Sequence, residues 1–378
     1  MAKKTRVALE ITETSVRAIE VTTGRNPTIV TAGEVPLPEG AARDSEVLDR
    51  SAVAMALQRL WADARISTRD VVLGVGNRRI LVREHSTQLT NPDHIRQSLP
   101  FEVQDRLPVP VDQAVLDFVP THQDERGVHG LLVAAVAEHM EELVGALEKA
   151  KLRATSIDLT AFGYARALAA LTEPDETGLI LATGEHTTHI VIATGGMPRF
   201  VRAVPIDIVP PPGEPAVLTD GGADDSGDPP ASRRLLRLAG AGVDERGVAV
   251  LETPVTPALP LPVVAPTPRL HPEVQAALID LVGRLRGTVG FYRDRLDAVP
   301  VERTFVTGIH ADHERLREAV GRVTETPVTV VGATELVGPP RGFALSADVD
   351  LRLAGVASLL RDTPPPTARR PGKHGVGR

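Results

Sequence analysis

The chain states one plan twice. Arg6 to Gly24 reads RVALEITETSVRAIEVTTG, and Leu179 to Gly196 reads LILATGEHTTHIVIATGG, with Val7 and Leu179 opening matched runs 172 positions apart. Each stretch is a β-rich run, a short polar turn carrying Thr or Ser, a second β-rich run and a glycine. Val16, Ala18 and Glu20 alternate with Arg17, Ile19 and Val21, as a strand requires. Two matched hairpins predict two matched lobes. Turns facing each other across a cleft offer backbone N–H groups and hydroxyls to a phosphate chain. The same hydroxyls serve equally well as caps of their own turns.

A chain of 378 residues is long enough for two or three domains. Aromatic residues make up only 3%, and the net charge is -7, so a base-stacking or polyanion-binding surface lacks its raw material and no nucleic-acid partner is expected. With no cysteine, disulfides, thiolate metal sites and thiol nucleophiles are excluded, and a cytoplasmic location fits. Met1 to Thr5 is basic but runs directly into a strand, and no stretch has the 18 or so apolar residues of a membrane span. Membrane association is therefore expected only through a partner.

Along the chain, a third strand is expected at Pro27 to Thr31, then a helix from about Glu46 to Ala64 capped by Ser45, with Val53, Ala56, Leu57, Leu60 and Trp61 on one face. Val71 to Val75 reads as a buried strand. Ile80 to Leu152 has its own rhythm. Strand Ile80 to Glu84 precedes a helix opened by Asn91 and Pro92, which Pro100 should kink or split. Strands Val115 to Val119 and Leu131 to Val136 and a helix from Glu138 to Leu152 follow. That order predicts a compact α/β module inserted into the first lobe, to which Ser156 to Thr160 and the Ala161 to Leu171 helix return the chain.

The second hairpin and Arg199 to Asp207 open the second lobe. Between Pro210 and Pro268 lie twelve of the 32 prolines, a composition that predicts linker. A long helix from Pro272 to about Leu296, strand Thr304 to Thr307, a helix holding Leu316 and Val320, strand Val328 to Val331 and a helix from about Asp350 to Leu360 complete the lobe. Thr363 to Arg378 reads as a disordered basic tail.

GxxxxGK[ST], HExxH and GxSxG are all absent, and Gly74-Val-Gly76 is too little for a dinucleotide fingerprint. His186 and His189, like His310 and His313, stand three apart and are read as solvated surface histidines, and Asp348 and Asp350 as exposed charges. No acid–base or nucleophile constellation can be assembled, so no catalytic residue is assigned.

Taken together, these pieces resemble the PilM family, the actin-like proteins of type IV pilus assembly and relatives of FtsA. The resemblance rests on Leu9-Glu-Ile-Thr-Glu-Thr-Ser-Val-Arg-Ala-Ile-Glu-Val21, on Phe101-Glu-Val-Gln-Asp-Arg-Leu-Pro-Val-Pro110, on Val115-Leu-Asp-Phe118 and on the Leu131 to Val136 strand. It implies an α/β, two-lobe actin-like fold, a duplicated ribonuclease H-like architecture with an inserted α/β subdomain and a reduced second lobe. Residues 1–79 and 153–176 would form lobe I, 80–152 the insert, 177–209 and 269–362 lobe II, 210–268 a linker replacing a small subdomain, and 363–378 the tail.

By the same resemblance, a retained ATP and magnesium site would use Glu10, Thr12, Thr14, Ser15, Arg17, Gly184, Thr187, Thr188, Thr307 and Gly308, with Glu10 holding magnesium through water. Departures from the family pattern weaken that expectation. Asp-x-Gly, usual at the start of both hairpins, is Glu10-Ile-Thr12 in one and Ala182-Thr-Gly184 in the other, and the late LTGGGA turn is Val306-Thr-Gly-Ile-His-Ala311. A branched Thr12 obstructs close backbone approach. The expectation is a degenerate cytoplasmic scaffold with weak or lost ATP binding. It would be peripheral to the inner membrane, bind the cytoplasmic tail of a PilN-type protein in a groove between lobe I and the insert, and help couple the pilus assembly motor complex to the platform. The alternative is a functional Mg-ATPase or small-molecule kinase of the same superfamily.

Overall fold

Two five-stranded sheets repeat one design. The computed structural model describes residues 4–24, 26–43, 46–76, 79–209, 217–218, 269–295 and 298–362. The first hairpin is β1 (Thr5–Ile11) and β2 (Ser15–Thr22), followed by β3 (Ile29–Pro36) and a short ribbon of β4 (Ala42–Arg43) and β5 (Glu46–Val47). Helix α1 (Arg50–Asp63) buries Val53, Leu57, Leu60 and Trp61 at helical spacing. It starts later than the sequence suggested, because Glu46 and Val47 are taken into the ribbon. Its cap is Asp49, which accepts from the amides of Ser51 and Ala52; Ser45 lies outside the described residues. Strand β6 (Asp70–Val75) then pairs parallel with β1.

The insert follows as β7 (Leu81–Thr87), α2 (Pro92–Val103), β8 (Ala114–Asp124), β9 (Gly127–Val136) and α3 (Ala137–Lys149). Its strands form a separate sheet in the order β7-β9-β8. Asn91 caps α2 by accepting from the amides of Asp93 and His94. The helix is not split at Pro100. The carbonyl that proline leaves unpaired belongs to exposed Arg96, where water can replace the missing donor. Strand β10 (Arg153–Leu159) and α4 (Thr160–Leu171) return to lobe I.

Lobe II opens with β11 (Thr177–Thr183), β12 (Thr187–Thr194) and β13 (Met197–Pro205). The 172-residue offset of the sequence repeat separates Thr5 from Thr177 and Ser15 from Thr187. The chain divides into two compact units, residues 210–272 and the remainder. Most of the smaller unit, where a linker was expected, lies outside the described residues, as does 363–378; within it β14 (Val217–Leu218) pairs antiparallel with β15 (Arg269–Leu270). The larger unit resumes through α5 (Pro272–Arg293), β16 (Arg303–Gly308), α6 (Glu314–Thr324), β17 (Val328–Val330), α7 (Ala333–Val337), α8 (Ala347–Arg352) and α9 (Ala354–Ser358).

Both large sheets share one order, β3-β2-β1-β6-β10 and β13-β12-β11-β16-β17, an antiparallel meander followed by two parallel strands. In β2 every residue from Ser15 to Val21 is buried, so the alternation seen in the sequence separates two packed faces rather than core from water. Helix α4 packs on the lobe II strands, α9 packs on β1 and β2, and the two helices touch each other. Gly163 permits that contact, since a Cβ there would lie 2.5 Å from Ser358 Oγ. The last helix expected from Asp350 to Leu360 is two helices, with Asp350 used to hold α7: it accepts from the Thr334 amide at 2.9 Å and from its hydroxyl at 2.8 Å. Asp350 is therefore half-buried and bonded, not a free exposed charge.

Candidate functional site

The two hairpin turns meet at the cleft between the lobes, and an ionic chain joins them. Arg17, on β2, donates from one guanidinium nitrogen to Glu185 in the β11–β12 turn at 2.6 Å and from Nε to Glu34 on β3 at 2.8 Å. The side chains of Arg17 and Glu185 are each only 8% exposed. Arg352 at the end of α8 donates to the second oxygen of Glu34 at 2.9 Å and also reaches Asp348. His186 in the lobe II turn contacts Glu13 in the lobe I turn at 3.4 Å and Asp207 at 2.7 Å.

Burial disfavours the Arg17 charge, yet Glu185, Glu34 and Glu10 together raise its pKa. Burial acts against Glu34 too, and Arg17 with Ser15 and Arg352 outweighs it, holding that carboxyl below the usual range. Glu10 goes the other way. Burial raises its pKa, Arg17 opposes, and Glu185 and Glu34 add to the rise; the Thr160 hydroxyl donates to it at 3.4 Å. Tyr164 is pushed up by burial and by Glu10.

These shifts set a pH dependence. Between pH 4.5 and the raised pKa of Glu10, the folded chain holds a proton that the unfolded chain has lost, so this residue makes stability fall as pH rises through that window. Glu10→Gln is expected to remove that fall and to raise the melting temperature at pH 7 by a few degrees, with little change below pH 4.5. Thermal unfolding across pH 4 to 8 checks it, and an unchanged pH slope would sink it.

The lobe I turn spends its donors internally. Thr12 Oγ1 accepts from the amides of Ser15 (3.0 Å) and Thr14 (3.3 Å), the Thr12 amide donates to the Ser15 carbonyl at 2.8 Å, and the Ser15 hydroxyl donates to Glu34 at 2.8 Å. In lobe II the Thr183 hydroxyl donates to the carbonyls of Thr307 (2.9 Å) and Ile309, and the Ile309 amide donates to the Thr183 carbonyl at 2.9 Å. Gly308 is obligatory there, with φ +91° and space so tight that a Cβ would lie 2.0 Å from the Thr183 carbonyl oxygen.

Of the ten residues singled out from sequence, Glu10, Thr12, Arg17, Gly184, Thr187 and Gly308 line the cleft, which encloses about 90 Å³. Ligand sites are typically about 300–1,000 Å³. Thr14 is exposed outside that cavity, Ser15 is spent on Glu34, and Thr188 and Thr307 are wholly buried. The hydroxyls of Thr188 and Thr307, like Glu185 Oε2, have no hydrogen-bond partner among the described residues.

His189 is not a solvated surface histidine. Its Nε2 bonds the Gly76 carbonyl across the cleft at 2.8 Å, and burial lowers its pKa to about 4. His310 likewise bonds the Ile208 carbonyl at 3.1 Å. Sequence reasoning missed Glu34, Glu185 and Arg352. One signal was present, a guanidinium placed among Val16, Ala18 and Ile19 in a strand flanked on both sides, which demands a buried counter-charge.

Duplicated sheets, contacting interlobe helices, facing hairpin turns and a module inserted after β6 define an actin-like two-lobe protein. The family model for the type IV pilus assembly protein PilM matches residues 8–195, about half of the chain. This chain belongs to the PilM family. The structure of a PilM-PilN type IV pilus biogenesis complex matches with TM-score 0.71 at 20% identity, over 95% of this chain and 99% of that one. The ethanolamine utilization protein EutJ from Carboxydothermus hydrogenoformans matches at 10% identity over 95% of this chain and 90% of its own, with a TM-score of 0.46.

Proposed function

We propose that this chain is a scaffold of type IV pilus assembly on the cytoplasmic face of the inner membrane, where it engages the cytoplasmic tail of a PilN-type protein and works alongside the assembly motor complex. Its nucleotide cleft is given over to structure. The observation that supports this most is the buried Arg17–Glu185 pair, which joins the two turns that would have to receive phosphate. Membership of the PilM family and the likeness to a chain from a PilM-PilN complex supply the partner class. Among the described residues no helix is long and apolar enough to cross a membrane, which fits attachment through that partner.

The insert is the element best placed to receive the tail. At its joint with lobe I, Glu46 takes Arg79 at 2.9 Å and His139 at 3.3 Å, beside exposed Leu48. A second groove of about 410 Å³ runs between α2 and β8, lined by Ile95, Leu99, Phe118, Pro120 and Val128 and bordered by Met197 of β13. Strand β8 lies at the edge of its sheet, so an extended peptide could add to it by backbone pairing. Fluorescence anisotropy with a labelled N-terminal peptide of the PilN-type protein tests the reading. Either Leu48→Asp, at the joint, or Thr121→Arg, in the groove, is expected to weaken binding by about tenfold or more, equivalent to about 1.4 kcal/mol. Full affinity in both variants, or no binding by the native chain, would overturn it.

A further inference from the structure

We propose that His122, Asp124 and His129, at the tip of the β8–β9 hairpin, form a site for a divalent transition ion of the zinc class. One ligand atom from each of these residues lies within 4.8 Å of the other two. His122 stands directly opposite His129 in the ladder, and Asp124 is two residues on, where the hairpin closes against Gly127.

A register irregularity makes this arrangement. Pro120 pairs with Gly130, so an unbroken ladder would set Thr121 against His129; the extra residue between Pro120 and His122 puts His122 there instead. Thr121, displaced, donates its hydroxyl to the His129 carbonyl at 3.1 Å and pins the bulge. The bulge thus turns a His–Thr pair into a His–His pair on the face that carries Asp124.

The donors are already oriented. The two imidazoles stack with centroids 4.5 Å apart and planes 7° from parallel. His129 Nδ1 is held by the Ser86 hydroxyl of β7 at 2.8 Å, and its Nε2 lies 3.0 Å from Asp124. That is the pattern in which an outer partner fixes one ring nitrogen and leaves the other for the ion. Imidazole and carboxylate together suit zinc, cobalt or nickel better than magnesium or calcium, which take oxygen ligands. Bonds of about 2.0–2.2 Å hold the donors of one ion within about 3.5 Å of each other, a spacing that His129 Nε2 and Asp124 already meet at 3.0 Å. His122 and Asp124 are exposed and can rotate to bring the third donor to that spacing. Three protein ligands leave a fourth position for water or for a donor from another molecule.

The test uses the full, tag-free chain, stripped with chelator and titrated with Zn2+ against a chromophoric competitor, and separately with Co2+ read by its visible absorption. One equivalent of Zn2+ is expected to bind with micromolar or tighter affinity and to raise the melting temperature. His122→Gln, Asp124→Asn and His129→Gln should each weaken binding at least tenfold, Ser86→Ala should weaken it less, and His94→Gln should not change it. The three ligand substitutions are near-isosteric and lie on a hairpin tip, and the melting temperature of each metal-free variant reports its folding. Failure of the native chain to bind Zn2+ below millimolar concentration would overturn the proposal, as would unchanged binding by Asp124→Asn and His122→Gln.

Discussion

Arg17→Met is expected to destabilise the chain by about 3–5 kcal/mol at pH 7, the cost of breaking a buried ion pair by removing one partner. The guanidinium is the only cation that touches both Glu185 and Glu34 among the described residues, and both bonds are short, at 2.6 and 2.8 Å. Without it, among the described residues, the buried Glu185 side chain loses its ion-pair partner and Glu34 keeps Ser15 and Arg352. The deficit has a signed pH dependence. The folded pKa of Glu34 is lowered, so its contribution is present above about pH 4.5 and is lost as pH falls through the folded value. Arg17→Met forfeits that contribution, so native chain and variant should differ most at neutral pH and converge on acidification. Arg17→Lys keeps the charge but not the two-armed fork, and should fall between them. Urea unfolding at pH 7 and at pH 3.5 measures this; a loss below 1 kcal/mol at pH 7 would mean that the pair is not what joins the turns.

How much of this was legible in the sequence follows from where the information lies. The repeat of Val7 and Leu179 transmits to the residue because hairpins are local, and their two strands and turn are specified within twenty positions. The insert was legible for the same reason: Asn91-Pro92 is a helix start wherever it falls. The ionic chain was not. Glu34, Glu185 and Arg352 come from three distant segments, and nothing near any of them says that they will meet Arg17. The metal-class triad was hidden differently. Its residues are close in sequence, but the strand was expected to stop at Val119, and the shift that sets His122 against His129 is a single-residue irregularity without a composition signal. The histidines at 186 and 189 were read as surface groups because spacing cannot show contact with the opposite lobe, and His310 because spacing cannot show the Ile208 carbonyl that lobe II brings to it.

Calorimetry of Mg-ATP binding is expected to show no saturation up to several millimolar nucleotide. A triphosphate needs donors that are free to turn toward it, and here the amides of Thr14 and Ser15 are bonded to Thr12 Oγ1 while the Ser15 hydroxyl is bonded to Glu34. On the opposite side Thr183 and Ile309 bond each other's backbone, and Ala182 offers no carboxylate for magnesium. Glu13 and Glu185 add negative charge at the turns themselves. Hydrogen bonds to charged groups are worth about 1.5–3 kcal/mol each. Losing two costs about 3–6 kcal/mol, or roughly two to four orders of magnitude in affinity, enough to move a micromolar site to the millimolar range or beyond. Releasing the latch should not restore the site: Glu185→Gln removes one charge but leaves the lobe I amides bonded to Thr12. Saturable micromolar binding by the native chain would require the lobes to part and Arg17 to leave both carboxylates for phosphate, and the cleft would then be a working nucleotide site rather than a structural joint.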